Sequence, residues 1–303
     1  MTEFVLQIYT EEFFLTNRLK SLLKKIFGVD SRGPQAVVKS LINGLKELDV
    51  KFSLNKRIVN TGETVCILNG AKTLKWAISQ KQQGKIKKII AGPNIVISPY
   101  DKEGLIKSKE IDIIIVPSQW VKDYYLAVAP ELSSKIRIWA AGVNWPEEKP
   151  EQKDIEFLVY NKIGKNPLKQ QIVQILDQRK LSYRLINYGQ LRQKEYFKFL
   201  KRAKYEIYLS NSESQGLAMF EAWARGVPTL VWENGHFSEG DVKIIGKISG
   251  PFVSPENGMS FTKENFAETL TVFLKTNFNT ANYIRESFTN KIIAQKYINI
   301  CHG

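Results

Sequence analysis

The sequence has few of the residues that build metal centres or covalent cross-links. Its 303 residues include two cysteines, Cys66 and Cys301, and two histidines, His236 and His302. Neither pair has the spacing of a zinc motif, and two distant cysteines do not make a disulfide framework. We therefore predict no metal site and no cofactor.

The sequence also lacks a long hydrophobic run. Apolar stretches such as residues 111–117 (IDIIIVP) are far shorter than the ~20 residues that a membrane-spanning helix needs. The amino terminus, MTEFVLQIYTEEFF, has acidic residues where a signal peptide has basic ones. We expect a cytoplasmic protein.

Positive charge is abundant, with a formal net charge of +14 spread over both halves of the chain. Its densest segment is residues 17–28 (NRLKSLLKKIFG), where apolar residues follow a helical period and lysine and arginine lie between them. We favour a helix that packs on the core with a lysine-rich solvent face. A helix on an anionic membrane surface, and so a peripheral contact with the inner membrane, stays open as an alternative. Nothing in the pattern indicates a nucleic-acid partner.

Short β-rich runs alternate with helical segments along the whole chain, which is typical of α/β folds with parallel sheets. A polar segment with two prolines, residues 143–154, interrupts the alternation and is interpreted as a linker. We predict two Rossmann-like domains that face a central cleft, over residues 1–146 and 147–280. The last segment, 281–303, is expected to form a helix that crosses back to the first domain. Ligands of such folds bind beyond the carboxyl ends of the strands.

Two glutamates define the candidate site within residues 210–232 (SNSESQGLAMFEAWARGVPTLVW). Glu213 lies in a polar loop after a strand, and Glu221 lies inside the helix that follows and that ends at Gly226 and Pro228. The start of the helix offers main-chain N–H groups to phosphate oxygens, and a carboxylate suits the hydroxyls of a ribose or a sugar. Those amides belong to Ser214, Gln215, Gly216 and Leu217. A chance spacing, with Glu221 paired to Arg225 on a helix surface, is the competing interpretation.

The segment SESQGLAMFEAWARGVPTLV resembles the Glu-(seven residues)-Glu signature of GT-B glycosyltransferases of the retaining family 4 type. This resemblance implies that Glu213 contacts the donor sugar, in a catalytic role, and that Glu221 contacts the ribose. SRGPQAVVKSLINGLKEL resembles the glycine loop and first helix of the family, which places Gly33 at the donor. IIIVPSQWVKDYY and KIRIWAAGVNW resemble two further segments of the first domain.

The sequence departs from the family pattern at two places. The family has an arginine and a lysine after the first strand of the second domain, where VYNKIGKNPLKQ has no arginine. We expect Lys162 and Lys165 to contact the diphosphate there, with loop lysines as the competing interpretation. The family histidine of the first domain is missing; Asn94 occupies the matching strand end and can bind a hydroxyl but cannot act as a base. His236, after a strand of the second domain, is a further candidate for donor binding.

No Asp-x-Asp motif occurs in the chain, which argues against the metal-dependent GT-A architecture. The resemblance therefore predicts a retaining, metal-independent glycosyltransferase that uses a nucleotide-diphosphate sugar as donor. We expect the acceptor to be a sugar, a lipid-linked acceptor or a polysaccharide, and a protein acceptor stays open. Two alternatives remain: a binding protein of GT-B shape that has lost catalysis, and a membrane-surface module without an active site.

Overall fold

The computed structural model describes residues 5–14, 33–56, 63–146 and 151–303. The basic segment 17–28, for which the sequence offered a packing helix or a membrane helix, lies outside the described residues. The chain divides into two compact units, one formed by Met1–Gly142 with Asn290–Gly303 and the other by Val143–Thr289.

Unit 1 is built on a parallel sheet with the strand order β2-β1-β3-β4-β5-β6. Buried isoleucine, leucine and valine side chains dominate its central strands, as expected for a parallel sheet that is covered on both faces. The strands are β1 (Leu6–Tyr9), β2 (Phe52–Leu54), β3 (Glu63–Asn69), β4 (Ile86–Asn94), β5 (Ile113–Val116) and β6 (Ile136–Ile138).

The helices of unit 1 lie in the connections between its strands, and the last helix of the chain packs on the first of them. Helix α10 packs on α1 so closely that a Cβ atom on Gly44 would lie 2.0 Å from the main-chain oxygen of Asn290. The Trp139 indole also donates to the main-chain oxygen of Ile293 at 2.9 Å. The helices are α1 (Pro34–Glu47), α2 (Ala71–Gln82), α3 (Asp101–Gly104), α4 (Gln119–Val128) and α10 (Asn290–His302).

Unit 2 has a parallel sheet with the strand order β13-β10-β9-β7-β8 and a separate antiparallel hairpin, β11–β12. The strands of the sheet are β7 (Ile155–Asn161), β8 (Tyr183–Asn187), β9 (Ala203–Leu209), β10 (Thr229–Trp232) and β13 (Gly258–Phe261). The hairpin consists of β11 (His236–Glu239) and β12 (Val242–Ile245).

One face of the unit 2 sheet is largely apolar, and the other carries polar side chains among apolar ones. Every second residue of β7 and β9 points into one hydrophobic cluster, to which Phe157, Val159, Ile207 and Leu209 belong. Because side chains alternate along a strand, Tyr160, Glu206 and Tyr208 lie on the opposite face. The helices of this unit are α5 (Pro167–Gln178), α6 (Gln193–Arg202), α7 (Leu217–Trp223), α8 (Phe266–Phe273) and α9 (Thr280–Ser287).

The predicted α/β class with parallel sheets is confirmed in both units. His236, which the sequence analysis placed only after a strand, begins a strand of its own, because residues 236–239 form one half of a hairpin. Gly240, at a φ of 56°, supplies the left-handed conformation that the turn between the two strands needs. In the parts of the chain that the structure describes, no helix combines the length and the apolar character needed to cross a membrane.

Candidate functional site

The candidate site lies at the carboxyl edge of the unit 2 sheet, where β7 and β9 end side by side. Because the two strands pair in parallel, the residues that follow them leave the sheet at the same edge. Lys162 comes directly after β7, and its main-chain N–H donates to the oxygen of Leu209, the last residue of β9, at 2.8 Å. The polar loop that contains Glu213 begins at Ser210, the residue after Leu209. The topology thus brings Lys162 and the Glu213 loop together.

Lys162 and Glu213 form an ion pair, in which the Lys162 ammonium donates to Oε1 of Glu213. The Tyr208 hydroxyl donates to the same oxygen at 2.9 Å. The Glu213 side chain is 12% exposed and that of Lys162 is 23% exposed, so both charges are largely withdrawn from water. The Lys162 ammonium also lies 4.8 Å from the centre of the Tyr188 ring. The sequence analysis assigned Lys162 to the diphosphate and Glu213 to the donor sugar. In the structure their side chains are in direct contact.

The turn between Glu213 and helix α7 depends on Gly216. Gly216 has a φ of 84°, and a Cβ atom there would lie 2.2 Å from Cε of Met219. Its main-chain oxygen accepts the N–H of Met219, the third residue of helix α7, at 3.0 Å. The other residues whose amides were proposed for phosphate binding surround this turn: Ser214 is exposed, Gln215 is buried and Leu217 is half-buried.

Glu221 lies in α7, and its carboxylate accepts a hydrogen bond from the side-chain amide of Gln193, the first residue of α6. Arg225 donates to the main-chain oxygen of Glu221 at 3.0 Å, and its guanidinium lies 3.9 Å from the centre of the Phe197 ring. Glu221 is thus held between two helices at a half-buried position.

A layer of tyrosines on the polar face of the sheet lies beneath this site. Tyr160 and Tyr208 stack at 5.2 Å with their planes at 8°, and Tyr196 packs against Tyr160 at 5.1 Å. Tyr196 contributes its hydroxyl to the main-chain oxygen of Ala218, in α7, at 3.1 Å. The layer therefore extends from Tyr208, which contacts Glu213, to the helix that carries Glu221.

A fully buried carboxyl group, Glu206, completes the layer. Its Oε1 lies 2.8 Å from the Tyr196 hydroxyl, while Oε2 has no hydrogen-bond partner among the described residues. Burial, and after it the negative charge of Glu221, raises the pKa of Glu206 well above its ordinary value. Burial likewise raises the pKa values of Tyr196 and Tyr208, so both hydroxyls stay protonated and can donate.

The other predicted site residues are divided between the two units. Lys165 is exposed in the loop after β7, and His236 begins β11 with its Nδ1 3.2 Å from the oxygen of Asn234. Both belong to unit 2. Gly33, at a φ of 73°, and Asn94, the last residue of β4, belong to unit 1. The Asn94 amide nitrogen is buried without a hydrogen-bond partner among the described residues.

The sequence analysis missed three residues of this cluster and its supports: Gln193, Glu206 and Tyr208. Tyr208 and Glu206 alternate within YEIYLS, so period-2 patterning places both on the face opposite Ile207. That pattern was the available signal for them. Over the described ranges, no cluster of three or more histidine, cysteine, aspartate or glutamate side chains has the arrangement of a metal site.

Solved structures with a similar fold include glycosyltransferases. The lipopolysaccharide outer core galactosyltransferase WaaB aligns with a TM-score of 0.64 at 13% identity, over 99% of this chain and 99% of its own. Anabaena Alr3699/HepE, solved in complex with UDP and glucose, aligns with a TM-score of 0.57 at 10% identity, over 98% and 99%. WaaG, a glycosyltransferase involved in lipopolysaccharide biosynthesis, aligns with a TM-score of 0.52 at 9% identity, over 99% and 100%.

The chain therefore has the GT-B fold of glycosyltransferases, as its sequence motifs predicted. Sequence comparison adds nothing further, since neither a protein-family model nor a curated protein matches the chain.

Proposed function

We propose that this chain is a retaining, metal-independent glycosyltransferase that uses a nucleotide-diphosphate sugar as donor. The observation that carries the proposal is the Lys162–Glu213–Tyr208 cluster at the carboxyl edge of the unit 2 sheet. In open α/β sheets, ligands bind at this edge. A largely buried carboxylate and ammonium there offer an acceptor for sugar hydroxyls and a donor for phosphate oxygens within one contact.

Each group has a distinct part in donor binding. Glu213 accepts hydrogen bonds from the hydroxyls of the transferred sugar, and Glu221 accepts those of the ribose. An ammonium has three donors, and Glu213 Oε1 takes one of them, so Lys162 can hold Glu213 and a phosphate oxygen together. The main-chain amides of residues 214–217 and the exposed Lys165 complete the diphosphate contacts, and His236 is a further donor contact. UDP is our first candidate for the nucleotide, because the structure of HepE contains UDP and glucose.

Catalysis then consists of leaving-group stabilisation and positioning. The bond between the anomeric carbon and the diphosphate oxygen breaks, and the acceptor oxygen bonds to the same face of that carbon. The acceptor proton passes to the departing diphosphate oxygen, so no separate base is required. Lys162 and the amides balance the negative charge that develops, which is the work a metal ion does in other transferases. In unit 1, the sequence motifs assign Asn94 to the binding of a sugar hydroxyl and Gly33 to the binding of the donor.

A nucleotide-sugar binding protein that has lost catalysis is the second candidate. The absence of a histidine in the first half of the sequence and of an arginine near Lys162 favours it. The two candidates share the donor site and differ in turnover.

A thermal-shift screen of nucleotide-diphosphate sugars tests the shared donor site. We expect at least one donor to raise the melting temperature by several degrees, because a ligand at 100 times its dissociation constant stabilises a protein by ~2.7 kcal/mol. The free sugar and the nucleoside monophosphate serve as controls and should shift the melting temperature less. Failure of every nucleotide-sugar to stabilise the protein would refute the proposed function.

A further inference from the structure

The carboxylate of Glu233 is surrounded by main-chain N–H groups. Glu233 directly follows β10, and its two oxygens accept hydrogen bonds of 3.1 to 3.3 Å from four amides, those of Gly235, Ile248, Ser249 and Gly250. Three of these amides belong to one short segment, 248–250, which begins fifteen residues after Glu233. A carboxylate held by several N–H donors is a strong, charge-assisted anchor.

The anchored segment is the one that fixes the Glu213 loop. The main-chain N–H of Glu213 donates to the oxygen of Ile248 at 2.9 Å. The Ser249 hydroxyl donates to the main-chain oxygen of Asn211 at 3.3 Å. Ile248 and Ser249 are fully buried, so neither contact is replaced by water without opening the structure. Glu233 thus reaches the backbone of Glu213 through one intervening segment.

The hairpin β11–β12 separates Glu233 from the segment 248–250, and this interruption explains why an anchor is needed here. Between Glu233 and the segment 248–250 the chain leaves the sheet as the hairpin β11–β12, whose base closes with Gly246 N–H donating to Gly235 O at 3.1 Å. The Glu233 carboxylate binds the amide of Gly235 before the hairpin and the amides of residues 248–250 after it. It therefore fixes the position of the chain on both sides of the hairpin. The Glu213 loop contacts the same segment, 248–250.

We propose that Glu233 is a positioning residue that holds the backbone of Glu213 in its donor-binding place. Glutamine at position 233 keeps one carbonyl oxygen and replaces the second acceptor with an amide, which cannot accept an N–H. The segment 248–250 then loosens, and Glu213 loses the fixed main-chain oxygen to which its own N–H is bonded. The functional part of this inference rests on the proposed function, while the structural part does not.

Two readouts separate these parts. The first is amide hydrogen exchange without any ligand, in which Glu233→Gln is expected to speed exchange at Glu213 and at Ser249 at least tenfold. The second is the affinity for UDP-glucose compared with UDP, or for the donor and nucleotide that the thermal-shift screen selects. Glu233→Gln and Glu213→Gln should each weaken donor binding about tenfold while nucleotide binding changes little. The double variant should bind no more weakly than either single variant.

Glu156→Gln is the matched control, because the Glu156 carboxylate also accepts a main-chain N–H, that of Ser182 at 2.7 Å. It lies near the start of β7, at the opposite edge of the sheet. Ser249→Ala is the second variant if Glu233→Gln fails to fold, since it removes the contact with Asn211 and leaves the carboxylate in place. It should weaken donor binding in the same direction.

The outcomes distinguish the two proposals. Unchanged exchange at Glu213 in Glu233→Gln, or additive losses in the double variant, would overturn the positioning role while a donor-binding wild type keeps the proposed function. Faster exchange at Glu213 in a protein that binds no nucleotide-sugar would instead keep the structural link and refute the proposed function.

Discussion

Replacing Glu213 by glutamine is expected to lower the rate of sugar transfer ~10²- to 10³-fold, the range measured when one preorganised catalytic hydrogen-bonding group is removed. Glutamine has nearly the same shape, and Gly216, Met219 and the rest of the turn are unaffected. The variant loses the negative charge that pairs with Lys162 and accepts the Tyr208 hydroxyl. Glutamine keeps one neutral carbonyl oxygen, so the donor sugar loses the charged acceptor, with its second oxygen, that orients its hydroxyls.

Transfer is measured with the donor that stabilises the wild type, and nucleotide affinity is measured in parallel. We expect nucleotide affinity to change little, because the ribose and phosphate contacts assigned to Glu221 and the amides remain. Glu256→Gln, an exposed position in unit 2, is the control and should retain wild-type rates. Wild-type turnover in Glu213→Gln would show that Glu213 has no catalytic part.

Replacing Glu206 by glutamine is expected to flatten the pH dependence of stability. The folded protein keeps the Glu206 proton above the pH at which the unfolded chain releases it, near the ordinary value of 4.5. The stabilisation by this group is therefore complete at lower pH and is lost as the pH rises toward the raised pKa of the folded state. Each unit by which the pKa is raised corresponds to ~1.4 kcal/mol.

Urea unfolding of the wild type and of Glu206→Gln at pH 5 and pH 8 checks this expectation. The wild type should lose more stability than the variant between the two pH values, because glutamine stays neutral and its carbonyl can still accept the Tyr196 hydroxyl. Glu256→Gln serves again as an exposed control and should follow the wild type. Parallel pH profiles for wild type and Glu206→Gln would mean that the buried carboxyl is ionised in the folded protein.

The parallel strands and crossover helices could be predicted because their patterns are local. FLVY in β7 and the apolar positions of α5 show their burial within a few residues, and residues 210–232 indicate a loop, a helix and a strand in that order. Strand β1 was not predicted, because four residues, LQIY, beside an acidic segment give too short a pattern. The hairpin was missed because HFSE has little apolar character, and its pairing depends on residues 242–245.

The supports of the candidate site depend on contacts between residues far apart in sequence. In the sequence, Glu206 is a single polar residue in an apolar strand. Its burial beside Tyr196 depends on how α6 packs on the sheet. Three of the four amide partners of Glu233 lie fifteen to seventeen residues along the chain. The spacing of Glu213 and Glu221 could be read directly, whereas the partners that hold them could not. The roles assigned to Glu213, Glu221 and Lys162 remain predictions.

The release of free sugar from a bound donor tests the central claim most directly. A retaining transferase uses water as a slow acceptor, so wild-type protein incubated with its nucleotide-diphosphate sugar should release sugar that initially has the anomeric configuration of the donor, as followed by proton NMR. The Glu213→Gln variant should release it at least a hundredfold more slowly. A wild type that binds the donor tightly and releases no sugar would contradict the assignment as an enzyme and leave a nucleotide-sugar binding protein.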